Sequence, residues 1–485
     1  MASRPRGFYG NGLPFALRLA RAVLMLAGDR VEEYTRRSLS QEIRVHRSVT
    51  LVGIACLLAA SLVAQAPCAP RRAGSGYLAL TGVTLWSGTG APARTGMTVL
   101  IRGERIAAVF ADGAEPLPDS TEVHSWRGKY VIPGLIDTHV HLATDPSGED
   151  VRARAERRLC RALLGGVTTV RDMAGDVRAL ASLERDALVG DIAAPDIYYA
   201  ALWAGPSFFS DPRTALASRG IPSGSAPWML SVDSTTDLRQ AVLEARGTGA
   251  TALKLYWALT PDQVAAITAE AHRQHVPVWA HAAMEDVLPL QTVNAGVDVV
   301  SHAGLLLRQL GAPGYAALAK DSTGPARGRF NTPQFDSLMA AMRLHGTIYE
   351  PTLFVYHAET PKLYRFTAEI TRRAHQLGVP IVAGTDSIGS GDEGPWQLPD
   401  LQEELELLVR DAGLSPADAL VAATRTAAQA VSASDQLGTI EAGKLANLVV
   451  LDRDPLKDIA NTAAVREVIK RGAVYPGGPV TLSPP

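Results

Sequence analysis

The feature that most constrains this chain is the alternation, through its middle, of short apolar runs with amphipathic helical stretches. The apolar runs are VIPGLIDTHVH, VTTVRDM, DIYYAA, TALKLYW, PVWAHA, VDVVSHA, TIYEPTL and PIVAGTDS. Between them lie stretches such as VRARAERRLCRALL, TTDLRQAVLEAR, PDQVAAITAEAHRQH and TPQFDSLMAAMRLH. Strands that are apolar throughout must be covered on both faces, which points to a parallel sheet with crossover helices. Eight such alternations over roughly three hundred residues favour a closed barrel over an open sheet. The expected core is thus an α/β fold, a (β/α)8 TIM-like barrel over residues 134–433. Two interruptions, Trp203 to Ser234 and Gly304 to Asn331, are rich in Gly, Pro and Ser and read as lids or binding loops.

Both flanks of the barrel have a different texture. The segments TGVTLWSGTG, MTVLIRGERIAAVF and STEVHSWRGKYVIPG combine β-branched residues with Gly-rich breaks, as do GTIEAGKLANLVVLDRDP and VREVIKRGAVY. They predict a small β-sandwich domain assembled from residues 77–133 and 434–480.

Upstream, Arg44 to Arg47 is followed by an apolar run from Val49 to Val63 and then Ala64-Gln-Ala66. A positive flank, a short apolar core and an A-x-A-like end make residues 44–70 a signal peptide, or else an uncleaved anchor. The protein is accordingly expected to be exported, periplasmic or secreted. Residues 1–43 are either a real extension or the product of a start placed too early, with translation beginning near Val45. The three cysteines, Cys56, Cys68 and Cys160, form no C-x-x-C pair and indicate neither a thiolate zinc site nor a disulfide framework.

A formal net charge of −2, with no long basic run and only 6% aromatic residues, gives nucleic acid nothing to bind. The expected partner is a small molecule or short peptide. A membrane would be met only through the N-terminal segment if it is uncleaved, and a homo-oligomer is compatible with this reading.

Candidate metal ligands cluster at the ends of the predicted strands. His139 and His141 end the first, Lys254 the fourth, His281 the fifth, His302 the sixth and Asp386 the eighth. Alternation places His139 and His141 on one strand face. Catalytic groups of a (β/α)8 barrel gather at this C-terminal mouth. Neutral imidazole and carboxylate are ligands that zinc and related divalent ions accept. Each motif is weak alone, since an H-x-H or a G-T-D occurs often by chance. Their shared placement carries the argument.

In this order the motifs resemble those of the amidohydrolase superfamily. VIPGLIDTHVHL is similar to its first-strand signature, and GTIEAGKLANLVVLDRDP to its return strand, with Asn447 where an Asp is common. ALKLY, WAHA, SHAG, EPTL and AGTDS resemble the imidazolonepropionase-like and Xaa-Pro-dipeptidase-like branch. The resemblance covers about residues 77–476. It implies two divalent metal ions, zinc by ligand type, with His139, His141 and Asp386 on the more buried ion and His281 and His302 on the outer one. It also implies that Lys254 is carboxylated and bridges both, and that a hydroxide shared by the metals attacks an amide or peptide carbonyl. Asp386 would be the catalytic proton carrier.

Around this centre, Asp137 is placed either to orient ligands or to serve a structural role, and Arg171 and Asp172 close the second strand, where either a buried ion pair or a substrate contact is expected. Tyr256 and His357 are candidate substrate contacts. The expected activity is that of a dipeptidase, carboxypeptidase or N-acyl amino acid hydrolase. The alternatives are a mononuclear cyclic-amide hydrolase or deaminase, lactone or phosphotriester hydrolysis on the same site, and a non-catalytic relative. Against the deaminase stands the spacing from His281 to Glu285, which is not H-x-x-E.

Overall fold

The computed structural model describes residues 68–142, 151–321, 324–387 and 399–478. The expected extension over 1–43, and residues 44–67 of the expected signal or anchor, lie outside the described residues. Among the described residues no helix is long and apolar enough to cross a membrane.

The chain enters through β1 (Tyr77–Leu85), β2 (Arg94–Arg102), β3 (Arg105–Ala111), β4 (Glu122–Ser125) and β5 (Tyr130–Pro133). It then builds β6 (Leu135–Val140), β7 (Val167–Asp172), β8 (Asp196–Ala204), β9 (Ser225–Ala226), β10 (Met229–Ser231) and β11 (Ala252–Leu255). After these come β12 (Val278–His281), β13 (Val299–Ser301), β14 (Ile348–Glu350), β15 (Leu448–Leu451), β16 (Val465–Lys470) and β17 (Ala473–Pro476).

β6, β7, β8, β11, β12, β13 and β14 pair in parallel in that order. Residues 381–387 supply the eighth position. Tyr349 N donates to Pro380 O at 2.8 Å on one side, and Asp386 N donates to His139 O at 2.8 Å on the other. The barrel therefore closes between β14 and β6, as the eightfold alternation predicts. Its eighth stave is extended backbone held by two isolated bridges, Tyr349 to Ile381 and Val140 to Ser387.

The two flanks do meet. The eight-stranded sheet runs β17-β16-β15-β5-β1-β2-β3, with β4 on β1, so strands from both segments of the chain share one ladder. Leu80, Val83, Leu85 and Val99 of the first segment pack with Leu448, Val450 and Ile469 of the second in a core separate from that of the barrel.

Two expectations need correction. Much of the interruption from Gly304 to Asn331 is helical rather than loop, with turns at Ala303–Leu306 and Leu307–Leu310 and a helix at Gly311–Lys320. Its Gly and Pro mark helix starts, Pro313 falling in a first turn where a missing N–H breaks no helical bond. The cysteines are also not inert: Cys68 and Cys160 form a disulfide across 92 positions, Cα to Cα 5.8 Å. Pairing at that distance leaves no spacing motif in the sequence, and only the fold brings the two together. The bond ties the segment before β1 to the first barrel helix, Arg152–Leu164.

Candidate metal centre

The site is built on the layering of the barrel interior. Ile136, Ala252, Trp279, Val299 and Ile348 belong to one apolar cluster with Ala427, Ala428 and Val431 of the following helical segment. Side chains in a strand return to the same face every second residue. The layer above is therefore Thr138, Lys254, His281, Ser301 and Glu350, and all five are buried. An apolar floor thus carries a polar storey.

His139, His302 and Asp386 join that storey by departures from regular strand. β6 has a register shift against β7 between Asp137 and Val140, so the adjacent residues Thr138 and His139 both reach Glu350. His302 has φ +78 and Asp386 φ +58. A non-glycine side chain is rarely found there, and such strain persists only where the surroundings over-determine it. Here they do: His302 N donates to Glu350 O at 2.8 Å and Asp386 N to His139 O at 2.8 Å.

The result is a knot of ligand atoms. Asp386 Oδ1 lies 3.0 Å from His141 Nε2 and 3.3 Å from His139 Nε2, and its Oδ2 lies 3.7 Å from His302 Nδ1. Ligand atoms of His139, His302 and Asp386 fall within 4.8 Å of one another. The His281 ring is 4.8 Å from the His302 ring, and its buried Nδ1 has no hydrogen-bond partner.

The protonation states suit a cation. Burial pushes the imidazoles of His139, His281 and His302 down, that of His302 to about 3, leaving neutral rings with lone pairs to give. Burial pushes the Asp386 carboxyl up, but His139, His141 and His302 outweigh it and hold the group ionised. Lys254 is fully buried, and burial lowers its ammonium to about 7. Its Nζ donates to Ser301 Oγ at 3.1 Å, and among the described residues no salt bridge to it is found.

Sequence reasoning left Glu350 without a role inside EPTL. The structure makes it the centre of the polar storey. Its Oε1 accepts from Thr138 Oγ1 and from Arg171 Nη2 at 2.6 Å, and its Oε2 from His139 Nδ1 and Ser301 Oγ, both at 2.7 Å. The signal was available: a glutamate ending an otherwise apolar strand is almost never buried unless paired. Arg171 pairs with Glu350 and lies 4.2 Å from the Trp279 ring centroid. Arg171 is thus in a buried ion pair, as expected, but its partner is Glu350 and not Asp172, because neighbouring strand residues point to opposite faces. Asp172 instead accepts from Leu142 N at 2.7 Å. Asp137 accepts from His139 N and from Thr385 N and Oγ1, and so braces both ligand strands.

A cavity of about 330 Å³ opens over the centre, bordered by His141, Asp386 and Tyr256. The Tyr256 ring lies 3.9 Å from that of His281, on the border of the cavity. The first interruption also serves the cavity, through Phe208 and Arg213. His357 does not reach it. Its Nδ1 is 2.9 Å from Glu403 and its ring packs on Tyr364, because the helix Leu353–Glu359 turns Val355 and Glu359 inward instead.

The model of the amidohydrolase family matches residues 130–474, the whole barrel and the returning strands. The chain belongs to the amidohydrolase family. It is a hydrolase of carbon–nitrogen bonds, and members of this family typically use divalent metals. It is 26% identical to the ochratoxinase of Aspergillus niger over 444 residues, covering 80% of this chain and 85% of that one. It is 27% identical to the imidazolonepropionase of Anaeromyxobacter dehalogenans over 420 residues, covering 79% and 91%. Among solved structures, a putative prolidase from Bifidobacterium longum superposes with a TM-score of 0.62 at 25% identity, covering 84% of this chain and 97% of that one.

Proposed function

We propose that this amidohydrolase is a two-metal hydrolase of amide or peptide bonds in small substrates, of the dipeptidase, carboxypeptidase or N-acyl amino acid hydrolase type. The observation that carries this reading is Lys254. A buried ammonium without a carboxylate partner is costly, and beside metal ligands it would repel the ions they hold. A neutral amine can instead add carbon dioxide, giving a carbamate and releasing one proton. That product is an anion with two oxygens, which could serve both a cation held by His139, His141 and Asp386 and one held by His281 and His302. The unpartnered Nδ1 of His281 supports a donor set meant for a cation.

When bound, two divalent ions, zinc by ligand type, would lower the pKa of water and polarise the scissile carbonyl. The protein's own groups do the rest. Asp386, ionised and facing three imidazoles, takes the proton of the attacking water at a carboxylate oxygen and delivers it to the leaving nitrogen. Tyr256 closes the wall beside His281 and orients the substrate. The net reaction consumes one water and yields a carboxylate and an amine.

A second reading has one observation in its favour. His139, His302 and Asp386 alone bring three ligand atoms within 4.8 Å, a set that would hold a single ion as a cyclic-amide hydrolase or deaminase does. Metal analysis of purified protein separates the two. About two ions per chain, with a carbamate carbon visible after labelling with 13C-bicarbonate, supports the first reading. One ion and no label supports the second.

We also propose export, supported by the Cys68–Cys160 bond. Disulfides persist in oxidising compartments and are rare in the cytosol.

A further inference from the structure

Two groups of the proposed centre, His139 and Lys254, are linked by hydrogen bonds to one buried carboxylate, directly and through Ser301. Glu350 is fully buried and ends β14. Its Oε2 lies 2.7 Å from His139 Nδ1 and 2.7 Å from Ser301 Oγ. Ionised carboxylate oxygens only accept. His139 must therefore carry its proton on Nδ1, which leaves the lone pair on Nε2, the nitrogen 3.3 Å from Asp386. Ser301 must point its hydroxyl hydrogen at Glu350, which leaves only oxygen lone pairs for Lys254, 3.1 Å away. Arg171 Nη2 lies 2.6 Å from Oε1 and supplies the counter-charge in the same buried site. Thr138 donates the fourth hydrogen bond.

We infer that Glu350 and Ser301 are positioning residues. Glu350 fixes the tautomer of His139 directly and, by taking the hydroxyl hydrogen of Ser301, makes Ser301 Oγ an acceptor for one N–H of Lys254. The inference rests on the proposed two-metal reading and extends it. Ser301 is the discriminating element. Its hydroxyl accepts one N–H from the lysine nitrogen, which leaves the other position on that nitrogen for carboxylation. A serine lacking this polarisation could equally donate to the nitrogen and occupy its lone pair, which blocks carboxylation.

The test compares wild type, Ser301→Ala, Ser301→Thr and Glu350→Gln in metal-depleted protein titrated with Zn²⁺ by calorimetry, with and without 13C-bicarbonate. Ser301→Ala removes only the oxygen, and its circular dichroism and melting temperature check that the fold survives. The inference expects Ser301→Ala to lose the carbamate signal and to weaken one of two zinc-binding events by about 10–100-fold, leaving the other unchanged. Ser301→Thr should restore both. Glu350→Gln should weaken both events, since His139 is then free to change tautomer; if that variant fails to fold because Arg171 loses its counter-charge, the serine pair still decides. Unchanged zinc affinities and an intact carbamate signal in Ser301→Ala would overturn the inference while leaving the two-metal reading standing. A wild type with no carbamate, in which Ser301→Ala nevertheless weakens a zinc event, would remove the carbamate and uphold the positioning role. A wild type with one zinc event, unaltered in Ser301→Ala, would overturn both.

Discussion

Asp386 Oδ1 lies 3.0 Å from Nε2 of His141, across 245 positions of sequence, and the contact closes the barrel mouth where the eighth stave meets the first. A carboxylate placed there faces the imidazoles on one side and the cavity on the other. Asp386→Asn keeps the shape and removes the charge and the basic oxygen. Turnover should fall by at least about 10³-fold, since proton transfer and the charge that holds a cation are lost together. Steady-state kinetics on a hydrolysed dipeptide or N-acyl amino acid, with zinc content measured in parallel, checks this. Retained turnover would refute the proton-carrying role.

The two candidate substrate contacts should part company. Tyr256→Phe removes a hydroxyl beside His281 at the cavity wall, and kcat/KM should drop by about 10-fold or more, the cost of one polar contact in a transition state. His357→Ala should leave kcat/KM within about twofold, because its partners Glu403 and Tyr364 lie outside the cavity and exposed pairs contribute little. Equal losses in the two variants would contradict the geometry.

Reduction of the Cys68–Cys160 bond should lower the melting temperature. Closing a loop of 92 positions restricts the unfolded chain, and removal of a native disulfide costs about 2–4 kcal/mol. Non-reducing peptide mapping should find the linked peptides, and Cys160→Ala should melt with or without reductant as the reduced wild type does.

Glu404 makes stability depend on pH in a defined direction. It is fully buried; one oxygen accepts from Phe354 N at 2.6 Å, while the other has no partner. Burial pushes its carboxyl up to about 8. Between the usual range of an unfolded glutamate and that value, the folded state keeps a proton that the unfolded state releases. Stability contributed by the protonated form is therefore complete below about pH 4.5 and declines as pH rises toward 8. Glu404→Gln should flatten that part of the melting-temperature profile, and an unchanged slope would count against the assignment.

The barrel and most of its ligands were legible because they obey periodicities. Lys254 and His281 sit two residues above Ala252 and Trp279 of the apolar floor, so alternation alone predicts their direction. His139, His302 and Asp386 were found by position at a strand end, yet their aim comes from a register shift and from positive φ, which no period encodes. Glu350 carries no ligand motif; its importance lies in four donors contributed by three strands, Thr138 and His139 of β6, Arg171 of β7 and Ser301 of β13. The sequence leaves His357 open between substrate contact and plain surface histidine, because one turn of helix decides which side chains face a cavity. The disulfide joins residues whose proximity exists only after the barrel has formed.

The sheet shared by the two flanks has a consequence for how the chain is made. β5 finds its antiparallel neighbour in β15, where Pro133 pairs with Leu448, so more than three hundred residues must leave the ribosome between the two. Until then β5 keeps one edge unpaired, a surface on which strands of other chains could add. Vectorial synthesis can complete much of the barrel first and the sheet beneath it last. The returning strands β15, β16 and β17 thus act as a latch, and the chain is sealed only when its last elements arrive.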